Sequence, residues 1–101
     1  MSSGVYPIMP LTKTTISGAT YATVGASSAI AVQANGARRW LVVTNTSANV
    51  IWLGLGVAAV VGSGIYLPAG AGYIFDHTNP WVGAVYAIAS GAGSNLAITE
   101  V

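Results

Sequence analysis

Acid–base or metal chemistry in this 101-residue chain would have to come from Asp76, His77 and Glu100, because it has no other acid, no other histidine and no cysteine. General acid–base catalysis needs two such groups poised on one substrate, and a catalytic metal needs three protein ligands. Asp76 and His77 are adjacent, and neighbouring side chains of an extended chain point to opposite faces, which disfavours a dyad. The spacing allows a carboxylate pair of Asp76 with Glu100, although nothing in the sequence brings the two together. One histidine and two acids make a poor ligand set, and no Gly-x-Ser-x-Gly elbow offers a nucleophile. The expectation is a protein that is not an enzyme, with no catalytic residue, no metal ligand and no cofactor.

One pattern imitates a cofactor motif. Gly54-x-Gly56-x-x-Ala59 follows the strand-like Val50-Ile51-Trp52-Leu53, and Asp76 stands where a ribose-binding acid would be sought. The crossover helix would have to survive Gly62, Gly64 and Pro68. A glycine-rich turn that needs permissive φ is the simpler account. Asn45-Thr46-Ser47 fits a glycosylation triplet but reads better as a turn. Trp40, Trp52 and Trp81, with five tyrosines, have the types for a sugar-stacking platform. Trp40 and Trp52 stand in apolar runs where packing explains them. Trp81, in the loop Asn79-Pro80-Trp81, is kept as a contact candidate, and a glycan site would need Trp81 or Tyr73 exposed beside polar groups.

Composition narrows the class further. Charged residues are 5% of the chain and hydrophobic residues 53%, against about 25% charged in an average soluble protein. An uncharged, apolar surface does not keep copies apart, so much of it is expected to be covered by partner subunits or by lipid. A net charge of +1, with Lys13, Arg38 and Arg39 as the cations, cannot neutralise many phosphates and speaks against nucleic acid. The first residues lack a basic segment followed by an apolar run, so no secretory signal is expected. Val50 to Leu67 is uncharged and long enough to cross a bilayer as a helix. Gly54, Gly56, Gly62 and Gly64 interrupt it and Pro68 closes it, which favours strand-turn-strand; a small membrane-associated protein remains an alternative.

The elements that would position these residues are strands. Residues 1–19 read as an extended arm, because Pro7 and Pro10 bracket Ile8 and Met9 in an apolar Tyr6-to-Leu11 segment. Its Tyr6, Ile8, Met9 and Leu11 would lie on a neighbouring subunit. Residues 20–101 read as one domain. Thr20 to Val24 and Ser27 to Gln33 are strand candidates, with Ile30 and Val32 on one face. Arg38 to Gly54 reads as a central β-hairpin around the turn Asn45 to Asn49. Leu41, Val43 and Asn45 share one face of it with Arg39, while Trp40, Val42 and Thr44 share the other. Both faces carry apolar groups, so one is assigned to the core and the other to a subunit contact. Leu55 to Val61 is ambiguous between helix and strand. Short strands follow at Gly64 to Leu67 and Gly72 to Phe75, and a second hairpin joins Gly83–Ser90 to Asn95–Val101. Arg38-Arg39 either guards a strand edge or pairs across a subunit boundary with Glu100 or Asp76.

Short, evenly spaced strands with glycine turns predict an all-β fold, a small antiparallel β-sandwich, jelly-roll-like, with an extended N-terminal arm. Arg39-x-Leu41-x-Val43-x-Asn45, Val50-Ile51-Trp52-Leu53-Gly54, Gly64-Ile65-Tyr66-Leu67-Pro68-Ala69-Gly70, Val85-Tyr86-Ala87-Ile88-Ala89-Ser90 and the closing Ala97-Ile98-Thr99-Glu100 resemble small β-sandwich virion proteins of tailed bacteriophages. These include capsid decoration or cement proteins and related head or tail accessory domains. The resemblance covers Arg38 to Val101 and implies a subunit, often trimeric, that binds the major capsid or another shell protein of the virion and clamps it. A tail or fibre module that binds a host glycan is the alternative. The subunit-contact candidates are Tyr6, Ile8, Met9, Leu11, Arg38, Arg39, Trp40, Val42, Trp52 and Trp81.

Overall fold

A computed structural model describes residues 18–101. They form strands β1 (Gly18–Val24), β2 (Ala29–Val32), β3 (Leu41–Asn45), β4 (Ile51–Leu55), β5 (Ile65–Leu67), β6 (Gly72–Phe75), β7 (Val85–Ala89) and β8 (Ser94–Glu100). The first sheet has the order β1-β8-β3-β6 and the second β2-β7-β4-β5, and all pairings are antiparallel. The fold is an all-β sandwich. The contact candidates Tyr6, Ile8, Met9 and Leu11 lie outside the described residues.

Burial alternates along the strands, as a pleated chain with one face on a core requires. On β3, Leu41, Val43 and Asn45 point inward, as do Ile51 and Leu53 on β4, Val85, Ala87 and Ala89 on β7, and Leu96 and Ile98 on β8. These residues, with Val24, Val32, Leu67 and Phe75, make the core. The expected faces of β3 therefore hold from Leu41 to Asn45, although Arg39, grouped with the inward residues, is exposed. On β2 they do not: Val32 is buried while Ile30 is 42% exposed. A register shift between Ile30 and Val32 turns the strand by one residue, which simple alternation cannot foresee.

Neither expected hairpin forms. β3 pairs with β6 and β8, whereas β4 pairs with β5 and β7. The turn after Asn45 carries the chain across the gap of about 10 Å between packed sheets instead of reversing it within one sheet. The same holds for β7 and β8, which stand in opposite sheets. Of the connections, β4 to β5 alone stays within a sheet. Two apolar runs with inward residues of the same parity suit opposite walls of a core as well as adjacent strands, so periodicity does not separate the two arrangements.

The segment Leu55 to Val61 is not a helix. β4 runs through Leu55 and an irregular loop follows, with Val57, Val60 and Val61 exposed. Val50 to Leu67 is thus strand, loop and strand, and no helix among the described residues is long and apolar enough to cross a membrane. The topology sorts the loops into two ends. The β1–β2, β3–β4, β5–β6 and β7–β8 turns lie at one end, and the longer β2–β3, β4–β5 and β6–β7 loops at the other. Arg38, Arg39, Asp76, His77 and Glu100 all fall at the long-loop end.

Ile51→Ala is expected to remove about 2–5 kcal/mol of stability in urea unfolding, because it empties a fully enclosed site. Val60→Ala, on the exposed loop, should stay within about 0.5 kcal/mol.

Candidate functional site

The strongest polar cluster is built around Arg38, which is 5% exposed. Its Nε donates to Glu100 Oε2 at 2.6 Å, Nη1 to the carbonyls of Trp81 at 2.8 Å and Gly83 at 3.2 Å, and Nη2 to the Gln33 carbonyl at 2.7 Å. Asn35 Nδ2 adds a weaker bond to the same Glu100 oxygen. Glu100 closes β8 in the first sheet, while Gln33 leaves β2 and Gly83 leads to β7 in the second. The planar, always charged guanidinium therefore ties the sheets together at the long-loop end. The charge of Arg38, read from the sequence as edge protection or an intersubunit partner, is paired with Glu100 within its own chain. The reason is local, since residues 38–40 are outside any strand and the loop turns Arg38 inward against the parity of β3.

Trp81 supplies one of those carbonyls. It is partly buried against the core, and its Nε1 donates to the Ala84 carbonyl at 3.1 Å. Its ring fills the space left by two glycines: a Cβ would come within 3.2 Å of the ring at Gly56 and 2.6 Å at Gly83. Gly56 has φ +73°, so the glycine of the dinucleotide-like pattern serves a turn and a packing contact. Trp81 closes the loop on which Arg38 depends and does not present an open stacking face. Tyr73 packs against Phe75 with ring centroids 4.9 Å apart.

The acids do not meet in one site. Asp76 Oδ1 accepts from Thr78 Oγ1 at 2.6 Å and from Thr78 N at 2.9 Å. The Thr78 hydroxyl above all, then its backbone N–H, holds the Asp76 carboxyl below its usual 3.8. Glu100 is occupied by Arg38 and Asn35, and His77 stands exposed. Among the described residues no three of His, Cys, Asp and Glu gather as metal ligands.

What the two sheets turn outward is uncharged. On the first sheet, register aligns Ala19, Thr99, Val42 and Ile74 in one row and Tyr21, Ala97, Thr44 and Gly72 in the next. Tyr21 is 67% and Ile74 50% exposed. Trp40, just before β3, is 39% exposed. On the second sheet the rows are Ile30, Tyr86, Gly54 and Ile88, Trp52, Tyr66. Trp52 and Tyr66 lie with centroids 6.1 Å apart. Trp40 and Val42 thus lie on one side of the sandwich and Trp52 on the other, while Arg39 is exposed at the long-loop end. Sequence reasoning passed over Tyr21, Ile74, Tyr66 and Tyr86. Their signal was the strand pairing, which puts them beside Val42 and Trp52.

Comparison of the chain with protein-family models, curated proteins and solved structures finds no match.

Glu100→Ala leaves a buried guanidinium uncompensated and is expected to destabilise by about 3–5 kcal/mol in denaturant unfolding, whereas Arg39→Ala should change stability by less than about 0.5 kcal/mol. Asp76 has a depressed folded-state pKa, so its turn contributes stability above the usual 3.8 and loses it as pH falls through the lower folded value. Carboxyl chemical shifts followed by NMR from pH 6 downward check this, with Thr78→Ala returning the midpoint toward 3.8.

Proposed function

We propose that this chain is a non-enzymatic structural subunit of a virion, a decoration or cement protein that self-associates and holds neighbouring shell subunits together. The observation that carries the reading is the uncharged outer face of the first sheet. Its two rows hold Ala, Thr, Val, Ile, Tyr and Gly without a single ionised group. A surface that meets only water has charge to keep copies apart. This one suits burial against another protein, where apolar area contributes about 25 cal/mol per Å².

Further support comes from the strand order. β1 pairs β8, β2 pairs β7, β3 pairs β6 and β4 pairs β5, the order of one long hairpin rolled into two sheets. It favours a jelly-roll reading, an architecture that recurs in viral shells. Uncharged short turns at one end and a charged rim at the other give the subunit two unlike poles, which suits a shell ornament with an attached and an outer end. The trimeric state follows from the resemblance of its strand rhythm to phage virion proteins.

Two measurements test it. Sedimentation velocity at micromolar concentration is expected to show a stable oligomer, and Val42→Asp to leave a folded monomer, because Val42 sits mid-face. A well-folded wild-type monomer would contradict the reading. Particles assembled without the chain should open at a lower temperature than particles that carry it; equal resistance would rule out a clamp.

A further inference from the structure

We infer that Asn35-Gly36, in the loop between β2 and β3, is a self-modifying site. In the folded chain the Gly36 nitrogen attacks the Asn35 side-chain amide, and the asparagine becomes isoaspartate or aspartate beside the Arg38–Glu100 pair. The inference goes beyond the virion reading and does not depend on it. Of the asparagines in the chain, Asn35 alone precedes a glycine; the others are followed by Thr46, Val50, Pro80 and Leu96. A side chain on the following residue hinders attack by its backbone nitrogen, and glycine has none. Gly36 is exposed, and a Cβ built on it meets nothing within 4 Å. Its N–H takes part in none of the backbone hydrogen bonds among the described residues. The nucleophile is therefore unshielded and uncommitted.

The turn itself places the amide. Arg38 N donates to the Asn35 carbonyl at 3.0 Å and Ala37 N to Asn35 Oδ1 at 3.1 Å, an Asx turn that folds the side chain back along the peptide it must react with. The Ala37 N–H also sits on the oxygen where negative charge collects as the amide is attacked. A bond forms from Gly36 N to Asn35 Cγ, the Cγ–Nδ2 bond breaks, and the proton lost by Gly36 N leaves with Nδ2 as ammonia. Water then opens the cyclic imide: at Cγ it gives aspartate, at the backbone carbonyl isoaspartate. The leaving Nδ2 gives up only its 3.4 Å bond to Glu100 Oε2, the longest in the Arg38 cluster. The product stands at the joint between the sheets. A donor to Glu100 becomes a carboxylate that faces it, while the guanidinium of Arg38 is already committed to Glu100, Trp81, Gly83 and Gln33. Like charges at this distance repel. Isoaspartate also reroutes the main chain at a residue whose N donates to the Val82 carbonyl at 2.7 Å. The site is thus a slow timer that loosens the long-loop end.

Incubation of the folded chain at mildly alkaline pH, followed by peptide mapping with mass spectrometry, tests the chemistry. Isoaspartate with a smaller share of aspartate is expected at position 35, while Asn45, Asn49, Asn79 and Asn95 stay intact. Gly36→Ala should slow the conversion severalfold without loss of stability, because the site is open and its backbone lies outside the left-handed region. An Asn35 as long-lived as the other asparagines, aspartate without isoaspartate, or an equal rate in Gly36→Ala would each overturn the inference. The consequence is tested by urea unfolding. Asn35→Asp is expected to lower the midpoint in the otherwise wild-type chain and to raise it in Glu100→Gln, where the new carboxylate is left as the counter-charge for Arg38. A shift of the same sign in both backgrounds, or none in either, would overturn the timer. These readouts do not report oligomeric state, so failure of the virion reading is not mistaken for failure of this one.

Discussion

The sandwich depends on one buried cation. Arg38 gathers Glu100 from the first sheet and the carbonyls of Gln33, Trp81 and Gly83 from the segments flanking β2 and β7. Taking a guanidinium out of water carries a large desolvation penalty, which is offset only when a counter-charge and several acceptors are held in place. Two features hold them. Trp81 is wedged over Gly56 and Gly83, and the chain end is pinned by Val101, whose backbone exchanges hydrogen bonds with Trp40. Asn45 plays the corresponding part at the opposite end of β3. Its Nδ2 donates to the carbonyls of Asn49 and Leu67, while its Oδ1 accepts from Ser47. Fully satisfied polar groups of this kind fix one arrangement of the sheets where apolar packing alone would tolerate several.

Those two residues also mark where the sequence could be read and where it could not. The alternation of Leu41, Val43 and Asn45, of Val85, Ala87 and Ala89, and of Leu96 and Ile98 identifies core positions directly, because period-two burial is a local property of a strand. Which strands pair is not local. Asn45 to Asn49 reads as a hairpin turn by composition, yet the same residue types make a crossing between sheets when Asn45 is bonded inward. Arg38 is invisible to periodicity because it sits in a loop, and its partners are scattered along the chain. Trp81 is similar: its loop composition points outward, and the space vacated by Gly56 and Gly83 draws it inward. The uncharged outer face of the first sheet was legible in part, through Trp40 and Val42, but Tyr21 and Ile74 join it through pairing alone.

The distribution of charge follows from this arrangement. Of the few ionised groups in the chain, Arg38 and Glu100 neutralise each other inside, and Asp76 is bound into its own turn by Thr78. Both sheet faces and the short-turn end are left without charge among the described residues. Such a molecule has little to oppose association, and the flat rows of the first sheet offer an interface that needs no rearrangement of the core. The assembly we propose would follow from how the charges are used up in folding.

The central claim is that the outer face of the first sheet is covered by another protein in the working state. Solvent-radical footprinting of the full chain at micromolar concentration tests it most directly, read at Tyr21 and Ile74, which are 67% and 50% exposed in the single subunit. The account predicts that both are protected in the wild-type chain and labelled freely in Val42→Asp. Labelling of both residues in the wild-type chain at the rate seen in that variant would contradict it.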